Sequence, residues 1–216
     1  DFVNNNSNAE DDYGHGTHVA GTIAGAKDNK GVTGVAYNAK IMPLDVFQKT
    51  WIPSKRKYEQ RANSNHIIKA IKYAVDNGAD VINMSLGGPT AYAPYLSALK
   101  YAQDKNVVVV MSAGNSAKPS PGYPGAYASN YGIAVGAVSS SKNLAYFSNR
   151  AGTKKLNYVT APGVNIISAG LNGGYARKQG TSMAAPHVAG IAALLKSYNK
   201  NFTAKEIINL ITGNTG

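Results

Sequence analysis

Residues 107–115 read VVVVMSAGN, and this stretch decides the fold. Val107–Met111 is a continuous apolar run with no polar residue among its β-branched members. A strand exposed on one face alternates apolar and polar side chains. This one is therefore predicted to be covered on both faces, as in a parallel sheet with helices on each side. Ser112–Asn115 then supplies a small-residue turn. In parallel sheets ligands bind beyond the carboxyl ends of the strands, where an Asn set by a glycine turn can aim its amide at a reacting oxygen. The plainer reading of Asn115 is an ordinary turn residue.

Outward from this strand, apolar runs alternate with helical patterns. Lys40–Val46 (KIMPLDV), Val81–Met84 and Ile133–Val138 read as further buried strands. His66–Asn77 places Ile67, Ile68, Ile71, Ala74 and Val75 on one helical stripe, and Asn77-Gly78 supplies its stop. Tyr95–Lys105 is a second helix. Ser182–Tyr198 is a third, with Val188, Ile191, Ala192, Leu195 and Tyr198 spaced for one face. The last, Thr203–Ile211, opens with Thr203 and Glu206 in a capping box. Strand–helix alternation predicts one α/β domain over residues 1–216 with a mostly parallel sheet. Ser116–Tyr131, rich in Pro, Gly, Ser and Tyr, is too long for a turn and is a candidate binding loop.

Composition removes several classes of function. The chain has 216 residues, 44% hydrophobic and 15% charged, enough apolar content to bury a core. No apolar run approaches the ~20 residues needed to cross a bilayer, so no membrane association is expected. The opening DFVNNNSNAEDD is polar and acidic, unlike a secretory leader. The chain has no Cys, which excludes disulfides, thiolate metal sites and a Cys nucleophile. The net charge of +11 admits a nucleic-acid partner, but the basic residues do not gather on one predicted helix. The densest cluster is Lys49–Arg61, and nucleic-acid binding is set aside as the main function.

Two strings carry chemistry. GHGTHVAGTIAG (14–25) places His15 and His18 at a helix start, with no acidic or Cys partner at metal-ligand spacing. GTSMAAPHVAG (180–190) opens a helix with Ser182, where the dipole and free N–H groups favour developing negative charge. Pro186 has no N–H for the Ser182 carbonyl, so the first turn is loosened. A Ser at a helix start is otherwise a cap. His66 reads as an exposed residue at a helix start and His187 as packing.

Taken in order, GHGTHVAGT, VINMSLGG, SAGN and GTSMAAPHVAG resemble the subtilisin-like serine proteases, the subtilases, nearly string for string across the chain. The resemblance implies a three-layer subtilisin-like sandwich, incomplete at both ends, and a serine endopeptidase that needs no cofactor for catalysis. It assigns His15 as general base, Ser182 as nucleophile, and Asn115 with the Ser182 N–H as oxyanion donors. Ser85, Leu86 and Gly87 would pair with the substrate backbone. Ala113 and Gly114 would wall the S1 pocket, with Gly122 near its floor, so a large apolar or aromatic P1 residue is expected. His18 and His187 become structural. The partner is a polypeptide substrate, with a propeptide or protein inhibitor as a further partner. The protein is expected to act as a monomer and, by family habit, outside the cell.

The pattern breaks at the third triad member. None of the eight Asp is followed by Thr-Gly or Ser-Gly, as the family's catalytic Asp is. Only fourteen residues precede His15. The expectation is a partial sequence, inactive alone, with no catalytic Asp named. Asp11 and Asp12 read as solvated loop residues and Asp45 as a strand residue. The alternatives are an assembly in which a separate piece supplies the Asp, or a non-enzymatic binding module. The resemblance also implies a structural calcium held by Asp28 and the carbonyls of Ala26, Lys30 and Val32, a set weakened by the flanking lysines. Gln48–Asn65 is longer than the family's loop, and its Lys49, Lys55, Arg56, Lys57 and Arg61 would favour acidic residues upstream of the cut.

Overall fold

The computed structural model describes residues 1–213. Its centre is a parallel sheet of β3 (Val81–Met84), β4 (Val108–Ser112), β5 (Ile133–Val138) and β6 (Tyr158–Pro162), in that spatial order. Every residue of β4 is buried, and its side chains divide between two cores. Val108 and Val110 point into one with Ile133, Val135 and Ala137, closed by α4 (Thr181–Tyr198) and α5 (Ala204–Thr212). Val109 and Met111 enter the other, closed by α2 (Ser64–Asp76) and α3 (Pro94–Asp104). A strand between two helical layers has no use for alternation, which is why its sequence reads as an uninterrupted apolar run.

The helices follow their local signals. Ile67, Ala70, Ile71 and Ala74 form the buried stripe of α2, and Asn63 caps it by accepting the Asn65 N–H at 2.8 Å. The capping box of α5 forms as predicted. Thr203 Oγ1 accepts the Glu206 N–H at 3.1 Å, and Glu206 Oε2 accepts the Thr203 N–H at 2.7 Å. On α4, Val188 and Ala192 are buried, but Ile191 and Tyr198 face outward at 44% and 85% exposure. The predicted stripe was too wide.

Three other readings are corrected. Lys40–Val46 is not a strand: it joins no ladder among the described residues, its one backbone link being the Phe2 N–H to the Asp45 carbonyl at 2.8 Å, and Lys40–Pro43 are exposed. Apolar content predisposes a segment to pair, but a ladder needs a neighbour at ~4.8 Å. Asp45 is therefore a loop residue, with Oδ1 accepting the Phe47 N–H at 2.9 Å. The following segment, read only as a long loop, is an antiparallel hairpin of β1 (Phe47–Ile52) and β2 (Lys57–Ala62). His66 is half-buried rather than exposed, and its Nδ1 is buried with no hydrogen-bond partner among the described residues. A second hairpin, β7 (Ile166–Ala169) with β8 (Tyr175–Lys178), covers α1 (His15–Ala24).

The outer edge of β3 carries no partner strand among the described residues. Along it runs a groove of about 2690 Å³, bounded on the far side by residues 40–47.

Candidate active site

The same groove is lined by every residue assigned to catalysis and substrate: His15, Ser182, Asn115, Ser85, Leu86, Gly87, Ala113, Gly114 and Gly122. His15 is the first residue of α1, and Ser182 is the second of α4. These two helices pack against each other, so residues 167 positions apart open on one space.

Asp11 sets the start of α1, and the reading of it as a solvated loop residue is corrected. It is part-buried. Its Oδ1 accepts the N–H groups of Tyr13 and Gly14 at 2.9 and 2.8 Å. Its Oδ2 accepts the Thr17 N–H at 2.8 Å and the Thr17 hydroxyl at 2.7 Å. These donors overcome a partial desolvation and hold its pKa at about 2. Asp11 therefore serves as the missing helix cap, because Gly14 has no side chain to do so. Asp12 is exposed, as expected.

The imidazole of His15 is pushed below its ordinary pKa, chiefly by burial and then by the Lys178 charge, with Asp11 opposing. It is therefore neutral at neutral pH, the state a general base needs. His18 is wholly buried, with Nε2 between the carbonyls of Ile166 and Ala176 at 3.0 Å each, so it ties α1 to β7 and β8. The ring of His187 uses Nδ1 on the Met183 carbonyl at 2.9 Å, a packing role.

Ser182 is oriented by Ser85. Pro186 leaves the Ser182 carbonyl without its helical donor, and the Ser85 hydroxyl fills the place at 2.7 Å. In return the Ser182 hydroxyl donates to the Ser85 carbonyl at 3.3 Å. Ser85 in turn accepts from Asn83 Nδ2 at 2.9 Å. Gly180 precedes the helix at φ +147°, a conformation that side chains avoid.

Two residues that sequence reasoning missed hold Asn115. Thr181, wholly buried, donates to Asn115 Oδ1 from both N–H (2.8 Å) and Oγ1 (3.0 Å). With the oxygen engaged, Nδ2 finds no partner among the described residues and is left as a free donor beside the start of α4. Asn149, also buried, grips the turn around Asn115. Its Oδ1 accepts from Ser116 and Lys118 N–H at 3.1 and 3.0 Å, and its Nδ2 donates to the Ala113 carbonyl at 3.0 Å. A Cβ on Gly114 (φ +107°) would stand 2.5 Å from that Nδ2, so the residue before Asn115 must be glycine. Thr181 lay in plain view inside GTSM. Asn149 sat in FSN with no local cue.

On the substrate side, Gly122 N–H donates to the Ala113 carbonyl at 2.9 Å, and Tyr123 and Gly88 exchange two backbone hydrogen bonds at 2.8 Å each. Ser116–Tyr131 is thus tied to both sides of the groove mouth. For calcium, residues 26–32 offer one carboxylate, Asp28, whose Oδ1 already accepts the Lys30 N–H at 3.0 Å. Among the described residues no group of three His, Cys, Asp or Glu side chains could hold a metal. This loop fits a bound calcium poorly.

A hydroxyl at a helix N-terminus, a neutral imidazole and a free amide donor on one groove are the parts of a serine hydrolase acting by acyl transfer. Comparison with known proteins narrows the class. The sequence profile of the Subtilase family matches residues 1–215, and the chain belongs to that family. It is 40% identical over 215 residues to subtilisin DY of Bacillus licheniformis, covering 98% of this chain and 73% of that protein. It is 42% identical over 208 residues to the major intracellular serine protease of Bacillus subtilis (strain 168), covering 92% of this chain and 61% of that one. The crystal structure of a cold-adapted subtilisin-like serine proteinase superposes with a TM-score of 0.83 at 34% identity, over 99% of this chain and 72% of that chain. The subtilisin-like fold is therefore shown. A location outside the cell does not follow from the family, since one relative is named as intracellular.

Proposed function

We propose that the chain is the catalytic core of a serine endopeptidase that cleaves polypeptides. His15 takes the proton of the Ser182 hydroxyl as Oγ attacks the scissile carbonyl, then delivers it to the leaving amine. Asn115 Nδ2 and the Ser182 N–H hold the oxyanion. The substrate lies extended against Ser85–Gly87, and its P1 side chain enters between Ala113-Gly114 and Gly122. No charged side chain belongs to that set. A large apolar or aromatic P1 residue is favoured by the ~1.5–3 kcal/mol that burying such a side chain contributes.

The observation that carries this reading is the double engagement of Asn115 Oδ1 by Thr181, which leaves only the donor end of the amide for an incoming oxygen. The triad's carboxylate is proposed to arrive on a strand seated in the groove between residues 40–47 and β3, where both walls offer unpaired backbone. The protein is proposed to act as a monomer and outside the cell.

The test is labelling by a peptidyl phosphonate with an aromatic P1 group, together with peptide hydrolysis. Both are measured on the complete gene product and on residues 1–216 alone. Labelling at Ser182 and its loss in Ser182→Ala are expected, with residues 1–216 alone nearly inactive. Asn115→Ala should lower kcat by about 10²–10³ with KM little changed, the size known for a subtilisin's own oxyanion donor. Hydrolysis that survives Ser182→Ala would sink the proposal.

A further inference from the structure

The hairpin of β1 and β2 is the most cationic feature of the molecule, and the catalytic scheme makes no use of it. Between Phe47 and Ala62 stand Lys49, Lys55, Arg56, Lys57 and Arg61 against the single carboxylate of Glu59. We propose that this hairpin is an exosite for an acidic stretch of the polypeptide substrate, next to the segment held for cleavage. The proposal rests on the endopeptidase reading above.

Three observations carry it. The hairpin already binds a carboxylate. Glu59 is held by Lys55 at 2.9 Å, Arg61 at 2.8 Å and Lys57 at 3.5 Å. The cations outnumber that one acid, and Lys49, Arg56 and Lys57 are exposed. The hairpin also presents an extended surface of peptide size. It is a two-stranded ribbon with no third strand among the described residues, and Trp51 and Tyr58 pair edge to face on it with ring centroids 5.1 Å apart. Both rings are about half exposed, and Lys49 lies over Tyr58 at 5.2 Å from its centroid. Finally, Lys49, Lys57 and Tyr58 line the same continuous groove as His15 and Ser182. Carboxylates along an extended peptide would meet the lysines while aliphatic side chains rest on the aromatic pair. An exposed site of this kind is weak for each contact and gains from several acting together.

The experiment compares two peptides sharing one cleavage sequence, one extended by an alternating Asp/Glu stretch and the other by Asn/Gln. The complete gene product and its Lys49→Glu/Lys57→Glu variant hydrolyse both at about 20 mM and about 0.5 M salt. At low salt the acidic peptide is expected to show roughly three- to tenfold higher kcat/KM, carried by KM. The ratio should fall to about one in high salt or in the variant. An acidic-to-neutral ratio near one at low salt in the unmodified protein overturns the exosite. Fluorescence anisotropy of the labelled acidic peptide on Ser182→Ala separates this failure from that of the peptidase reading. Hairpin-dependent, salt-sensitive binding supports the surface even where neither peptide is cut. Tighter binding of a single-stranded oligonucleotide of equal charge assigns the hairpin to nucleic acid and overturns the proposal.

Discussion

The two walls of the groove are made of similar material and differ in almost everything else. On one side, the edge strand β3 is held from behind by β4, which is paired on both sides, covered on both faces and continued into the turn that holds Asn115. On the other, KIMPLDV has the same kind of apolar content yet joins no ladder among the described residues, with Ile41 and Met42 at 44% and 39% exposure. The difference is one of neighbours. A strand is stabilised by the ladders beside it and the side chains above and below it, and residues 40–46 have no ladder. The turn that holds Asn115 follows a doubly covered strand, which fixes it closely enough to aim an amide.

The largest test of this contrast is hydrogen exchange. Amides of β4 are expected to exchange only on global unfolding, and those of Ile41–Val46 nearly as fast as in a free chain, a gap of about four orders of magnitude or more. Equal protection on both walls would break the comparison. Next comes the same substitution on each side. Met111→Ala should destabilise by about 2–4 kcal/mol in denaturant unfolding, because Met111 is wholly buried. Met42→Ala should stay within about 0.5 kcal/mol. Asn149→Ala asks whether the ordered wall extends to the turn. It should cost about 1–3 kcal/mol and lower kcat more than it raises KM, since the Ala113–Lys118 turn loses its anchor.

The smallest effect is electrostatic. Lys178 disfavours the imidazolium of His15, so Lys178→Met should raise its pKa and move the acidic limb of the kcat/KM profile to higher pH. Asp11→Asn removes a nearby anion and should move the limb the other way. Asp11 also contributes to stability. Its folded pKa lies at about 2 against an ordinary 3.8, so its contribution is present above pH 3.8 and is lost as pH falls from there toward 2. An acid-unfolding midpoint unchanged in Asp11→Asn would contradict this.

What the sequence made legible was whatever a single segment could announce. β4, β5, α2 and α5 were readable because period and caps are local. The family was readable because the strings around His15, Ser182 and Asn115 are distinctive, and the structure brings these three residues to one groove. The failures were relational. KIMPLDV looked like a strand because its residues suit one. The hairpin hid because its alternating polar residues and its turn at Pro53–Arg56, with Arg56 at φ +47°, carry no Asn-Gly or Asp-Gly signal. Asp11, Thr181 and Asn149 were given no role in the reading, although Thr181 stands inside GTSM, because what they do is hold the start of α1 and the turn around Asn115 through contacts outside their own strings.

Pro186 links covalent structure to timing. In an ordinary helix the Ser182 carbonyl would be satisfied as soon as the helix wound. Here it waits for a hydroxyl from Ser85, just past the end of β3 and 97 positions away. A newly made chain with α4 already wound but not yet docked on the sheet has no oriented hydroxyl at position 182. The hydroxyl proposed as nucleophile is oriented only when the sheet and the helix have met, so on that proposal an incompletely folded molecule is also a harmless one.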